Sequence, residues 1–274
     1  VRTGRSAQPI IVGGVPEHFN LPWKLAIEQG AFAAAGLDVE WVDEPAGTGA
    51  ITAALADGRF DLATVLTEGL VAAQDRGLDA HIEQLYVASP LKWGIHVPCS
   101  HAALPLTEIA NLRVAISRLG SGSHLMAHVL AASEGFTIDP ANFVVVGTLA
   151  GGIEALATER ADVFLWETFM TKPWVDNGQI ARIGEIPTPW PAFVVARRRG
   201  FGHRRAQQVL QVVDEAVAAF VARTDAAQLV AERIGIPQTD AEAWLARTRF
   251  ARGERLDRAA IDAIREQLRS AGAT

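Results

Sequence analysis

Cysteine is almost missing from this chain: Cys99 is the only one in 274 residues. No disulfide can form within the chain, and no thiolate cluster is available for a metal. Long hydrophobic runs are missing too; the longest apolar stretches are broken by charges well short of a membrane span. There is no basic excess, with 25 Lys and Arg against 31 Asp and Glu and a net charge of −6. The basic residues are scattered and form no stripe, which excludes a nucleic-acid partner. The densest run, Arg197, Arg198 and Arg199 with Arg204 and Arg205 close behind, reads as the solvated start of a following helix. The opening VRTGRSAQP lacks the apolar core of a leader. A valine at position 1 fits a trimmed chain or an alternative start. The expected location is periplasmic or cell-surface if a leader was removed, and cytoplasmic as the chain stands.

Catalytic signatures are equally scarce. The turn in SRLGSGSH has no Lys–Ser/Thr step, so it is not a nucleotide-binding P-loop, and its glycine spacing is not that of a dinucleotide fold. Cys99 lies between His96 and His101, a pairing too weak to mark a nucleophile. His124 and His128 are spaced i, i+4, but no Glu of the H-E-x-x-H kind accompanies them and no third ligand is evident. Helix surface or core is the better reading for both. No cofactor and no metal is expected, and the chain is not expected to be an enzyme.

What is present is an alternation of strands and helices. Residues 9–15 are a short β-rich run, 21–36 carry helical periodicity with a glycine exit, and 37–42 alternate in period two. This order argues for parallel sheets. Residues 47–69 echo residues 151–169: Leu55 aligns with Leu156, Arg59 with Arg160 and Asp61 with Asp162. Each unit is a glycine-rich loop, a short helix, an aspartate, a buried strand and a Glu/Thr pair, with Glu68 and Glu167 taken as matched. Two lobes on one plan follow, lobe one from residues 1–90 with 191–274 and lobe two from 91–190. Residues 85–98 and 180–198 supply extended crossings between them. An apolar stripe through Val209, Leu210, Val213, Val217 and Phe220 begins a helical C-terminal tail.

Ligands of open α/β sheets bind at the carboxyl ends of strands. After the strand at 114–117, Ser117, Ser121, Gly122 and Ser123 precede a helix. Free amides and the helix dipole there suit a carboxylate, sulfonate, phosphate or polar ring edge. The plainer alternative is that Ser123 only caps the helix. Thr48 and Gly49 stand in the corresponding loop of lobe one. Glu68 either contacts a ligand or favours its own helix start, and Trp166 with Glu167 is an equal choice between ligand contact and packing. Trp23, Trp93, Trp166, Trp174 and Trp190 fall near inferred loops or crossings, where aromatic walls would serve a small-molecule pocket. Phe19 is a candidate ring wall and Asn20 a polar anchor.

On AIEQGAFAAAGLDVEWV, GTGAITAALADGRFDLATV and SRLGSGSH, the chain resembles the type II periplasmic-binding-protein superfamily. The branch is that of alkanesulfonate/taurine and thiamine-pyrimidine-precursor binding proteins. The segments PLKWGIHV, FLWETFMTKPWVD and PTPWPAFVVA look like a narrower group found in bacteria and fungi. The resemblance implies a two-lobe α/β protein that closes over a small-molecule ligand by hinge bending, works as a monomer, and delivers to an ABC-type permease if exported. It implies that Asn20, Trp23, Thr48, Gly49, Glu68, Ser117, the Ser121 to Ser123 turn, Trp166, Glu167 and Trp190 line the cleft. It raises the ligand-seat reading of that turn above simple capping. The chain lacks the cysteine-rich motif of the pyrimidine-forming enzymes of this fold. Cys99 is also not placed near the first strand, where the desulfinase relatives carry theirs. An enzyme on this fold, or a cytoplasmic sensor or carrier, is the alternative reading.

Overall fold

The computed structural model describes residues 8–271; the opening VRTGRSAQP lies almost wholly outside them. The first lobe builds β1 (Ile10–Gly14), α1 (Leu21–Glu28), α2 (Ala31–Ala34), β2 (Val39–Asp43), α3 (Thr48–Ala56), β3 (Leu62–Leu66), α4 (Thr67–Asp75) and β4 (Ala80–Val87). The second builds β5 (Lys92–Val97), β6 (Val114–Ile116), α5 (Gly122–Glu134), β7 (Phe143–Val145), α6 (Leu149–Ala157), β8 (Val163–Glu167), α7 (Thr168–Asp176) and β9 (Ala181–Pro187). The chain returns through β10 (Phe193–Arg198) and ends in α8 (His203–Val221), α9 (Ala226–Ile234), α10 (Gln238–Leu245) and α11 (Arg258–Ser270).

Two five-stranded sheets result, β2-β1-β3-β10-β4 and β7-β6-β8-β5-β9. Each carries parallel pairings at one end and antiparallel pairings around its fourth strand, β10 or β5. The sheets are therefore mixed, where strand–helix alternation alone predicts mainly parallel pairing. Each lobe completes its sheet with a strand that directly follows the other lobe's last strand. The segments joining the lobes, 88–91 and 188–192, run side by side. The Thr188 amide donates to the Leu91 carbonyl at 2.8 Å, the Leu91 amide to Thr188 Oγ1 at 3.0 Å, and the Ala192 amide to the Ser89 carbonyl at 3.1 Å.

The echoed aspartates have one structural job. Asp61 Oδ2 accepts the Ile11 amide at 3.0 Å and Asp162 Oδ2 the Arg113 amide at 2.9 Å, each clamping a strand entry to its parallel neighbour. Arg198 and Arg113 neutralise the two carboxylates. The echo is in register across α3 and α6, β3 and β8, and α4 and α7. That register pairs Thr67 with Thr168 and Leu66 with Glu167, so Glu68 and Glu167 are not equivalent: Glu167 closes a strand, Glu68 sits one residue inside a helix.

Two further expectations are corrected. The helix expected over 21–36 is broken at Gly30, whose φ of 70° is the left-handed conformation that ends α1 and resets the chain for α2. Arg197 and Arg198 end strand β10 and do not begin a helix. Arg197 pairs with Glu83, Arg198 with Asp61 and Arg199 with Asp79. In the tail, α8 packs on α1, and α11 touches both α4 and α5, one from each lobe. Among the described residues no helix is long and apolar enough to cross a membrane.

Candidate functional site

The carboxyl ends of β1 and β3 in one lobe, and of β6 and β8 in the other, open on a shared cleft enclosing about 410 Å³ counted out to its mouth. Val15, Glu17, Gly47, Thr48 and Leu66 line it from the first lobe; Ser117, Gly122, Ser123, Trp166 and Glu167 line it from the second. Leu91, Trp93 and Phe193 close it on the side of the crossings. The lining is a few polar groups among aromatic and aliphatic walls, the make-up of a small-molecule site.

Its floor in the second lobe is made by the Ser121 to Ser123 turn. Ser121, not Ser123, caps α5: its hydroxyl accepts the His124 amide at 3.3 Å. Ser123 instead accepts the Ser117 amide at 2.9 Å and lies 3.0 Å from the Ser121 hydroxyl. The helix begins at Gly122, two residues before His124. Any other residue at Gly122 would put a Cβ 2.6 Å from Leu66 of the opposite lobe and 2.8 Å from the Trp93 ring. A glycine is needed there because the two lobes meet at that point.

Two carboxylates dominate the electrostatics. Glu17 follows β1, and burial pushes its pKa up to about 7, while the Trp166 indole N–H directed at it pulls the other way. Glu167 caps α7 by accepting the Met170 amide at 2.7 Å. Burial first, and the neighbouring Glu17 second, push its pKa up to about 8. Among the described residues no lysine or arginine lines the cleft. At its rim Arg118, from the loop after β6, donates to the Ala46 carbonyl of the first lobe. Its aliphatic stem fills the space where Gly49 lacks a side chain.

Of the residues singled out in the sequence, the fold brings Thr48, Trp93, Ser117, Gly122, Ser123, Trp166 and Glu167 to the cleft. The others lie elsewhere. Trp23 is fully buried in the core against Phe32, Trp41 and Tyr86, because it sits on the inward face of α1 and not in a loop. Phe19 packs against Phe193 and Trp244 of the tail. Asn20 Nδ2 donates to the Val15 carbonyl at 2.8 Å, fixing the loop that carries Glu17. Ser121 is the cap described above, and Gly49 faces Arg118. Glu68 is buried at the start of α4, where it accepts the Trp190 indole N–H at 2.7 Å; burial raises its pKa to about 7. Glu68 and Trp190 therefore tie the return crossing to the first lobe behind the cleft wall. Trp174 packs in a small cluster beside α6.

Glu17, Arg118, Leu66 and Phe193 were not anticipated. Glu17 carries a usable signal: it is an acidic residue just past the carboxyl end of the first strand. The remaining three become site residues only through contact between the lobes, which no local pattern encodes.

The groups weighed for catalysis are engaged elsewhere. His96 is buried in β5, its Nδ1 donating to the Phe164 carbonyl at 3.1 Å and its Nε2 accepting from the Thr171 hydroxyl at 2.9 Å. Burial drives its pKa down to about 3, so the ring is neutral. Cys99 is exposed, with its thiol on the Gly178 carbonyl. His124 packs edge-on and His128 at a tilt against Phe143, their Nε2 atoms 3.3 Å apart. Among the described residues no cluster of three or more His, Cys, Asp or Glu is placed to hold a metal.

Residues 93–186 match the family model of the Ca3427-like periplasmic binding proteins. The Candida albicans CA3427 gene product, which exhibits the generic periplasmic binding protein fold, superposes with a TM-score of 0.89 at 26% identity, over 98% of this chain and 91% of that one. The alkanesulfonate-binding protein SsuA from Xanthomonas axonopodis pv. citri, bound to MOPS, gives 0.76 at 18% identity over 96% and 92%. The periplasmic nitrate-binding protein NrtA from Synechocystis PCC 6803 gives 0.67 at 16% identity over 86% and 69%. No curated protein sequence matches the chain. The chain has the two-lobe periplasmic binding protein fold, with two mixed sheets flanked by helices.

Proposed function

We propose that the protein is a solute-binding protein that takes one small organic molecule into the cleft between its lobes. The observation that carries this reading is the cleft itself. Four strand ends from two sheets converge on it, and it joins Trp93, Trp166 and Phe193 as walls to Thr48, Ser117, Ser123, Glu17 and Glu167 as polar contacts. The paired crossings at 88–91 and 188–192 are the hinge about which the lobes close on the ligand. The protein acts as a monomer, binds without turnover, and hands its ligand to an ABC-type permease, the last supported by the fold's member from Staphylococcus aureus that is the ligand-binding component of an ABC-type import system. Residues 8–90 with 191–271 form one lobe and 91–190 the other.

A thermal-shift screen across sulfonates, pyrimidines, organic acids and organic amines tests the reading. A binder raises the melting temperature of the wild type and loses that effect in Trp166→Ala and Glu167→Ala. A binder that stabilises the wild type and both variants equally would place the site elsewhere and overturn it.

A further inference from the structure

The notable property of the cleft is that both ionisable side chains among its described lining residues are acids. Glu17 and Glu167 come from opposite lobes and are 9% and 4% exposed, yet both line the same space. Among the described residues no basic side chain lines it with them. The neighbouring arginines are committed: Arg118 to the Ala46 carbonyl at the rim, and Arg182 to the Thr168 carbonyl and Glu185 behind β8. Burying one carboxylate is costly, and burying two in contact costs more unless something positive or donor-rich joins them. Glu167 spends one oxygen on the Met170 amide and has the Thr168 hydroxyl at 3.4 Å from the other, with the Phe169 amide also directed at the carboxylate. Towards Glu17 only the Trp166 indole N–H is directed.

The walls carry the same preference. Trp93 and Trp166 meet edge to face with centroids 6.4 Å apart, and the faces of such rings attract cations. The Trp93 indole N–H is buried without an acceptor among the described residues, so a ligand bearing one acceptor beside its donors would satisfy it.

We infer that the ligand is a compact, planar organic cation of amidinium or protonated amino-heterocycle type. It is clamped between Glu17 and Glu167 and stacked against Trp93 and Trp166. A flat donor edge meets a carboxylate with two parallel hydrogen bonds, which a sulfonate or carboxylate cannot offer. The two lobes supply one carboxylate each, so the ligand's charge draws them together. This inference rests on the cleft being the solute site.

The test is calorimetric titration of the purified protein with benzamidinium and 2-aminopyridinium, against benzoate and benzenesulfonate as anions of similar size. Both cations should bind saturably and at least about tenfold more tightly than either anion. That corresponds to about 1.4 kcal/mol. Glu17→Gln and Glu167→Gln should each weaken the cations about tenfold or more while the melting temperature holds or rises, since an amide replaces a buried acid without charge. Anions binding as tightly as the cations, or no saturable binding of either cation, overturns the inference. If benzenesulfonate binds and Trp166→Ala weakens it, the cleft remains the solute site and only the ligand class fails. If the cations bind but neither the Glu→Gln variants nor Trp166→Ala weakens them, both readings fail.

Discussion

Glu17, in the loop after β1, and Glu167, at the end of β8, come from opposite lobes and line the same cleft, and the charge on Glu17 helps hold the proton on Glu167. The pair exists only where the lobes meet. Affinity, lobe closure and the pH response of the protein are thereby linked through the same two side chains.

The first consequence is a fall in stability above neutral pH. Glu17, Glu68 and Glu167 hold protons up to about pH 7, 7 and 8 when folded, against 4.5 in the unfolded chain. Between those limits the folded state binds more protons, so stability decreases as pH rises. His18 and His96, with folded values near 3, act in the opposite sense and only below about pH 6.5. The ligand-free melting temperature should thus fall most steeply between about pH 6.5 and 8, where the acids act unopposed by the histidines. The double variant Glu17→Gln/Glu167→Gln should flatten the alkaline limb; an unchanged limb in thermal melts across this range would contradict the burial of these acids.

Arg118 is a rim latch. Its guanidinium reaches the Ala46 carbonyl of the opposite lobe. Arg118→Ala should favour the open arrangement, seen as a larger radius of gyration in small-angle scattering and faster ligand release in stopped flow, with stability nearly unchanged.

Gly122 reports on closure from within. A methyl group there would press on Leu66 across the cleft and on the Trp93 ring. Gly122→Ala should reduce affinity more than tenfold with a smaller effect on melting temperature. Full affinity in this variant would mean that the lobes do not approach in the bound state as they do here.

The two echoed aspartates are structural. Asp61→Ala and Asp162→Ala each remove the acceptor of a strand amide and of an arginine. Each should cost about 1–3 kcal/mol in chemical denaturation, as lost charge-assisted hydrogen bonds do, and leave affinity unchanged. Trp190→Phe should cost a similar amount by withdrawing the indole N–H from Glu68.

These residues also show what the sequence makes legible. The strand–helix order and the internal echo are local, and period two, period 3.6 and a repeated Asp are visible without coordinates. The antiparallel insertion of β5 and β10 as the fourth strand of each sheet is not, since an extended run carries no mark of the direction in which it will pair. Trp23 looked like a loop residue because it follows His18, Phe19 and Asn20, yet the apolar spacing of Leu21, Trp23, Leu25 and Ala26 already places it on a buried helical face. Glu167 stood out by its tryptophan neighbour. Glu17 did not, because the Trp166 indole directed at it comes from some 150 positions along the chain. Thr48, Ser117 and Ser123 were found by the rule that ligands gather at strand ends and helix starts, which is indifferent to tertiary detail. The same rule also selected Gly49 and Ser121, which face Arg118 and cap α5.

Native mass spectrometry, on protein purified without denaturation and again after heat release, tests the central claim most directly. One small molecule per chain, recovered free on heating and missing from Trp166→Ala protein prepared the same way, is the predicted result. A small molecule retained equally by Trp166→Ala and Glu167→Ala protein would contradict the claim that this cleft is the solute site.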